Sequence, residues 1–541
     1  MNQNYKQKKR ILQASVFASV LSILRIIVII NMIGDEGGGI YAAAYELYSI
    51  SIIIASFCLT QTVSKMITAR LSRGQVRNAH KVFTISLLFC ILTGILCSIL
   101  LEVLANSLTS TFLLQGNSVI ALKWLAPTIL FAGISGCIKG YLKGVGETAL
   151  VVILQITEQI IIWVLSILGA QYFYKYGLKV GILLKDTSYG AVYGAAGSML
   201  GITVGSFLSL IILIVMYKNK YSMIHKMIAK DATIKDESHS QVFQVIFFTT
   251  IPIIISSILF SIPTLIDQRI FNKIRIEAEG AATSTAQFGI FYGKFRIFIV
   301  LAIIIFIEIH STVAPTISRM LSNGEQKLVK DFLKNKIMIS MRACIPYSVV
   351  ATLLAKLFIP ILYKGNVDTA VMLLQRGSIL IILYCLIIIT IGVLQGLGKQ
   401  LVVMIHLLLS FLIHIVPLVF MLKKLQMNIE AVVYSWIILA VIVVILNMLS
   451  IGKHLKYRQE WKKSFIIPTL ASTIMGIFII LLIYLLNDTL GNVGTIIASV
   501  LFGNFIYWIV LIALKGINQK ELSKVTGGRL LFKIAKIIRI M

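Results

Sequence analysis

Charged residues are scarce in this sequence: 13% of its 541 residues are Asp, Glu, Lys or Arg, against 58% hydrophobic. Soluble domains stop growing well before they could bury so much apolar surface in one core, so the composition excludes a single soluble globule and makes the bilayer the solvent. The segments between apolar runs are too short to hold a soluble catalytic domain, so no enzyme is expected here, a glycosyltransferase included. Cysteine is equally sparse. Cys58, Cys90, Cys97, Cys137, Cys344 and Cys385 form no CxxC pair and have no histidine at metal-ligand spacing, which excludes a zinc or redox motif and leaves them as small packing residues. Carboxylates number 21 against 50 basic residues, a formal net charge of +29. The basic residues sit in short loops between apolar runs and not along one soluble face, so nucleic acid is not an expected partner. Gly396-Leu397-Gly398-Lys399-Gln400 comes close to a phosphate-binding loop, but its first glycine is misplaced and Gln400 stands where Ser or Thr is required. No cofactor is implied, and an ATP-driven pump is excluded.

What is abundant is apolar runs of membrane-spanning length. About 20 residues of helix cross the hydrocarbon layer, and such runs fall near 11–33, 39–62, 81–106, 119–139, 149–173, 188–217, 242–268, 286–312, 335–362, 370–394, 401–422, 430–451, 464–486 and 492–514. These predict an all-α polytopic membrane protein of about fourteen helices. The basic start would resemble a signal peptide, but Arg25 interrupts the first apolar run and no cleavage site follows, so it is expected to remain as a helix. Alternate loops hold 34 Lys and Arg on one side and eight on the other, which predicts cytoplasmic termini. In the tail, Arg529, Lys533, Lys536 and Arg539 share one face of a helix over 529–541, a pattern suited to anionic membrane lipids.

The chain also repeats itself at a spacing near 250 residues. Thr62, Val63, Ile67, Leu71, Ser72 and Gly74 recur as Thr312, Val313, Ile317, Leu321, Ser322 and Gly324. Gly39-Ile40-Tyr41 faces Gly289-Ile290-Phe291, and Gly140, Gly144 and Gly146 face Gly392, Gly396 and Gly398. Six helices per copy makes the duplication parallel, with both copies entering from the same side. The expected organisation is an N-lobe over 1–217, a basic cytoplasmic linker over 218–241 and a C-lobe over 242–451. Two further helices follow over 452–514, then a basic amphipathic tail over 515–541.

Ionisable groups inside the spans mark candidate sites, because each costs about 2.5–3.5 kcal/mol at membrane depth unless it faces a cavity or a partner. The first repeat offers Arg25, Glu46 and Glu158, with Lys65 nearer the inner end. The second offers Asp267, Arg269, Lys294, Arg296, Glu308, His310 and His414. Arg25 lies roughly 21 Å into its helix, too deep to reach water easily. Lys294 and Arg296 are two residues apart and should point to different faces. Arginine keeps its charge when buried and presents a donor fork to phosphate oxygens, so the expected ligand is anionic. The candidate substrate-binding set is Arg25, Arg296, Lys65, Glu158, Asp267, Arg269 and His414.

Gly34-Asp35-Glu36-Gly37-Gly38-Gly39-Ile40-Tyr41, with Tyr45, Tyr48 and Thr62-Val63-Ser64-Lys65, resembles the stage V sporulation protein B branch of the polysaccharide transporters. That branch includes the MurJ-type lipid II flippases and belongs to the superfamily of multidrug and toxin extrusion proteins. Lys139-Gly140-Tyr141, Gln155, Glu158-Gln159, Pro252 with Asp267, Pro315 to Ser318 and Leu394 to Gly398 extend the match over most of the chain. The resemblance implies two lobes, alternating access and an undecaprenyl-pyrophosphate-linked sugar as cargo, with Arg25 at the family's cationic first-helix position. The sequence departs from that pattern in lacking a proline around 298–306 and in carrying His414 where a lysine is expected. A lipid-linked sugar pyrophosphate, anionic lipids and a coupling ion are the partners to test. A different lipid-linked oligosaccharide, a cation-coupled exporter using Glu46, Glu158 or Asp267, and a non-transporting scaffold stay open beside the flippase.

Overall fold

The computed structural model of the chain describes residues 2–229, 236–310 and 312–518. The expected tail helix over 529–541, most of the side chains of the 218–241 linker and the Glu308 side chain lie outside that description. In chain order the helices are α1 (Asn2–Ile52), α2 (Cys58–Leu71), α3 (Val76–Asn106), α4 (Val119–Leu125), α5 (Thr128–Gly144), α6 (Thr148–Leu184), α7 (Tyr189–Ala229) and α8 (His239–Glu279). There follow α9 (Ala281–Ile290), α10 (Arg296–His310), α11 (Val313–Ser322), α12 (Gln326–Leu362), α13 (Asp368–Gly377), α14 (Ile379–Gly396), α15 (Gln400–Lys423), α16 (Glu430–Leu455) and α17 (Ile467–Ala513). No strand occurs among the described residues.

Twelve helical stretches among the described residues are long and apolar enough to cross a membrane. The two longest run to 43 residues (Gln13–Ala55) and 52 residues (Lys462–Ala513), about twice what one crossing needs. Each contains a glycine whose backbone is not helical, Gly34 (φ 76°, ψ −179°) and Gly491 (φ 63°, ψ 178°). Glycine alone adopts those angles without strain, so each stretch breaks into two arms of about bilayer length. A count of fourteen crossings depends on treating each broken stretch as two. The expected span over 242–268 runs on to Glu279, because no glycine or proline interrupts 264–279. That places Asp267 and Arg269 inside a helix and not at its outer end.

The chain forms two compact units. One comprises Met1–Ile297 with Ile415–Ile429, the other Phe298–His414 with Glu430–Met541. In the first, Val63, Ile67, Cys137, Ile138, Leu142, Val151 and Leu213 share a buried core. In the second, Leu354, Ala471, Met475, Tyr507 and Leu511 do the same.

The repeat reappears as packing within each unit. A Cβ added at Gly144 would lie 2.8 Å from Ile67 Cβ and 3.2 Å from the Ser64 carbonyl oxygen. One added at Gly396 would lie 2.8 Å from Ile317 Cβ and 2.9 Å from the Ala314 carbonyl oxygen. Ile67 and Ile317, and Ser64 and Ala314, are both pairs at the same 250-residue spacing. Gly74 and Gly324 match in conformation as well, with φ of 72° and 76°.

Candidate anion site at the broken first helix

Arg25 and Tyr41 are 16 residues apart, a separation of about 24 Å along an unbroken helix. In the structure Arg25 Nη2 donates to Tyr41 Oη at 3.4 Å. The break at Gly34 accounts for this: it turns the second arm of α1 back along the first, so a residue nine positions before it meets one seven positions after it. Arg25 is 4% exposed, its Nε has no hydrogen-bond partner, and no salt bridge to it exists among the described residues. A buried, under-satisfied guanidinium is costly, and an anion is the ligand that relieves the cost.

Around it lies a run of tyrosines. Tyr41 stacks on Tyr45 with ring centroids 5.7 Å apart, Tyr45 meets Tyr48 at 5.7 Å, and Tyr41 meets Tyr292 at 6.4 Å. The Arg296 guanidinium sits over the Tyr292 ring, 5.0 Å from its centroid, and forms an ion pair with Glu46. Lys294, fully buried, pairs with Asp35 at 2.6 Å. A π-helical turn over Phe291–Phe295 adds a residue to the helical phase at this point and carries Lys294 into the packed interior.

Two features of this cluster follow from the repeat. Glu46 and Arg296 occupy equivalent positions, 250 residues apart, and pair with each other. Gly39 and Gly289 are likewise equivalent, and their contact is reciprocal. A Cβ at Gly39 would collide with the Thr285 carbonyl oxygen, and a Cβ at Gly289 would collide with the Asp35 carbonyl oxygen. The second arm of α1 and α9 therefore cross about a local two-fold axis, with only glycine thin enough at the crossing.

The remaining candidates are placed as follows. Glu158, on α6, is ion-paired with Lys139 on α5. Asp267 is fully buried on α8. Nearby, Gln268 Nε2 donates to Gln115 Oε1 at 2.8 Å, and Asn272 donates to the Leu113 carbonyl at 2.8 Å and accepts from Ser284 at 3.0 Å. Arg269 donates to the carbonyls of Thr111, at 3.2 Å, and Phe112, and lies over the Phe112 ring at 4.9 Å. Its guanidinium thus caps the π-helical end Ser107–Phe112, whose carbonyls have lost their in-helix donors. Lys65 is exposed on α2. His414 belongs to the other unit, where it is fully buried and its Nδ1 lies 2.5 Å from the Phe411 carbonyl. The structure therefore brings Arg25 and Arg296 into one aromatic cluster, while Lys65 and Arg269 lie elsewhere in the same unit. Asp35 and Tyr292 belong to the cluster although the site set named from sequence omits them.

A model of the family described as polysaccharide biosynthesis protein matches residues 10–321. The chain belongs to that family. Among curated relatives it is 20% identical over 473 residues to lipid II flippase MurJ of Bacillus subtilis (strain 168), covering 85% of this chain and 84% of the relative. It is 20% identical over 531 residues to stage V sporulation protein B of the same organism, covering 97% and 98%. Among solved structures, lipid II flippase MurJ in an inward closed conformation superimposes with a TM-score of 0.65 at 16% identity, over 92% of this chain and 97% of that one. An inward-facing MATE family transporter of the MOP superfamily superimposes with a TM-score of 0.59 at 15% identity, over 81% and 95%. The fold is that of these solved transporter structures, and the chain is a multi-pass membrane protein.

Proposed function

We propose that this family member is an alternating-access flippase that carries an undecaprenyl-pyrophosphate-linked cell-wall precursor, of the lipid II kind, from the inner to the outer leaflet of a bacterial plasma membrane. Both termini are cytoplasmic in this reading. The observation that carries it is Arg25: a cation 4% exposed, with an unpartnered Nε, held at the fold of a broken helix. A pyrophosphate supplies the charge and the acceptor oxygens that this guanidinium lacks. In this reading the polyprenyl chain stays in lipid throughout, and the cargo is moved without a bond being made or broken. Relatives named for lipid II flipping and for sporulation, at 20% identity, support the cargo class.

Arg296 is held by Glu46 in this conformation. Cargo then has two ways to use it: by displacing Glu46, or by engaging Arg25 first and taking Arg296 when the arms of α1 and α9 part. Either way, the carboxylate keeps the second guanidinium from being a bare buried charge when no cargo is present.

The test is binding in nanodiscs. Undecaprenyl pyrophosphate should bind, undecaprenol should not, and Arg25→Ala should remove the difference while the protein remains folded by its melting profile. Equal retention of pyrophosphate and alcohol by the intact protein would remove the anionic site from the account. Binding that instead depends on Glu46, Glu158 or Asp267 and ignores Arg25 would favour a cation-coupled exporter.

A further inference from the structure

Within the first unit, the last turns of α8 and α15 line a cavity of about 500 Å³. Ile270, Ile274 and Ala278, each four residues apart, lay one apolar stripe of α8 along it, and Val419 and Leu422 of α15 line it too. Cations stand at its edge. Lys273 and Lys423 line it and are exposed, and neither forms an ion pair among the described residues. Glu277, one turn after Lys273, is the single carboxylate among the described residues that line it.

Arg275 is the buried member of the lining, 9% exposed. Its Nη2 donates to Glu279, in the last turn of α8. Two amides hold the same carboxylate: Asn428 Nδ2 donates to it at 3.2 Å and Gln287 Nε2 at 3.4 Å. A turn at Gln426 (φ 52°), where the Met427 N–H donates to the Met421 carbonyl at 3.1 Å, leads the chain to Asn428. Glu279 is thus fixed by several donors. Arg275, by contrast, has Glu279 as its one partner among the described residues, and its Nε has none. A guanidinium carries five N–H donors, so the ion pair neutralises Arg275 and leaves most of its donors unused.

The charges here are in excess. Lys273, Arg275 and Lys423 outnumber Glu277 and Glu279 by one, and Lys424, the next residue, is exposed as well. In the orientation of the proposed function these helix ends face the outer side, to which the sequence assigns eight Lys and Arg; Lys273, Arg275, Lys423 and Lys424 are four of them. The side that should be poor in cations gathers half of its supply at one cavity. Cations alone would suit a free anion, and apolar walls alone would suit any acyl chain. A ligand that satisfies both has a phosphate joined to hydrocarbon.

We propose that this cavity binds an anionic phospholipid of the outer leaflet, with its phosphate among Lys273, Lys423 and the unused donors of Arg275 and the first carbons of its chains against Ile270, Ile274 and Leu422. The site is separate from Arg25. Its placement on the outer side rests on the orientation given under the proposed function; the binding itself does not.

The probe is dioleoyl phosphatidic acid, added to the full chain in neutral detergent micelles. Dioleoylglycerol, which has the chains without the phosphate, and inorganic phosphate, which has no chains, are the comparisons. Lysine acetylation followed by mass spectrometry is the readout. Phosphatidic acid should protect Lys273 and Lys423 and leave the exposed Lys179 of α6 reactive; at the same concentration neither comparison should do so. Read at Lys273, Lys423→Gln should weaken binding about fivefold, and Glu277→Gln should tighten it by a similar factor. Both residues are exposed, so folding is kept. Arg275→Gln/Glu279→Gln removes the pair without leaving a bare carboxylate, and should weaken binding about tenfold. Arg25→Ala should leave the protection as it is in the parent. Equal protection by dioleoylglycerol would reduce the cavity to an apolar gap, and equal protection by inorganic phosphate would make it a free-anion site. Either result overturns the proposal, as do Lys423→Gln and Glu277→Gln variants that both bind as the parent does. In intact cells, a membrane-impermeant acetylating reagent should reach Lys273 from outside. Reaction from the inside alone, with the lipid protection intact, would keep the binding site and overturn the orientation.

Discussion

If Glu46 and Arg296 pair because they are repeat-equivalent residues beside a local two-fold axis, exchanging their charges should be nearly harmless, although each reversal alone is damaging. Glu46 is 4% exposed in its side chain and Arg296 22%. Removing one partner of a buried ion pair costs about 3–5 kcal/mol, and the partial exposure of Arg296 places Glu46→Gln and Arg296→Gln near the lower end. The double variant Glu46→Gln/Arg296→Gln should lose less than the sum, since no charge is left uncompensated. The swap Glu46→Arg/Arg296→Glu restores an ion pair at the axis but moves the cation away from Tyr292, whose equivalent at position 42 is an alanine. The lost cation–π contact is worth about 0.5–2 kcal/mol, and that is the residual deficit expected. The assay is denaturant-induced unfolding in mixed micelles, compared across wild type, the four single variants, the double variant and the swap. A swap as unstable as the two reversals added together would refute the local symmetry as the cause of the pairing.

Other consequences are quicker to check. Gly39→Ala and Gly289→Ala each drive a methyl into a backbone carbonyl across the same crossing. Each should cost about 1–3 kcal/mol of overpacking, and the double variant little more than one alone, because a single separation of α1 from α9 relieves both. Strict additivity in unfolding would show that the two clashes are independent. Arg25→Lys keeps the charge but loses the planar fork, so affinity for a pyrophosphate lipid should fall at least tenfold while melting stays within a few degrees. Equal affinity would mean that the charge alone is read. Gly34→Ala forces a side chain onto a backbone with φ near +76°; it should straighten or strain α1 and separate Arg25 from Tyr41. Intrinsic tyrosine fluorescence and pyrophosphate binding should then change together.

Hydropathy made the apolar spans legible, and the glycine blocks made the duplication legible, because both are written in residue type at regular spacing. Gly144 against Ile67 and Gly396 against Ile317 show the same contact in each unit. The pairing of Glu46 with Arg296 carried a signal that the repeat could have exposed: two opposite charges at the same 250-residue offset as Gly39 and Gly289. The Lys294–Asp35 pair carried none, since the repeat sets Ala44 opposite Lys294 and Thr285 opposite Asp35. Nor did Arg25 and Tyr41, whose contact depends on the backbone angles at one glycine.

The most direct test of the central claim is translocation of fluorescent lipid II in proteoliposomes, comparing the intact protein with folded Arg25→Ala and with the charge swap at 46 and 296. The account predicts flipping by the intact protein and by the swap, and its loss in Arg25→Ala. Flipping that persists without Arg25, or its absence from the folded intact protein, would contradict it.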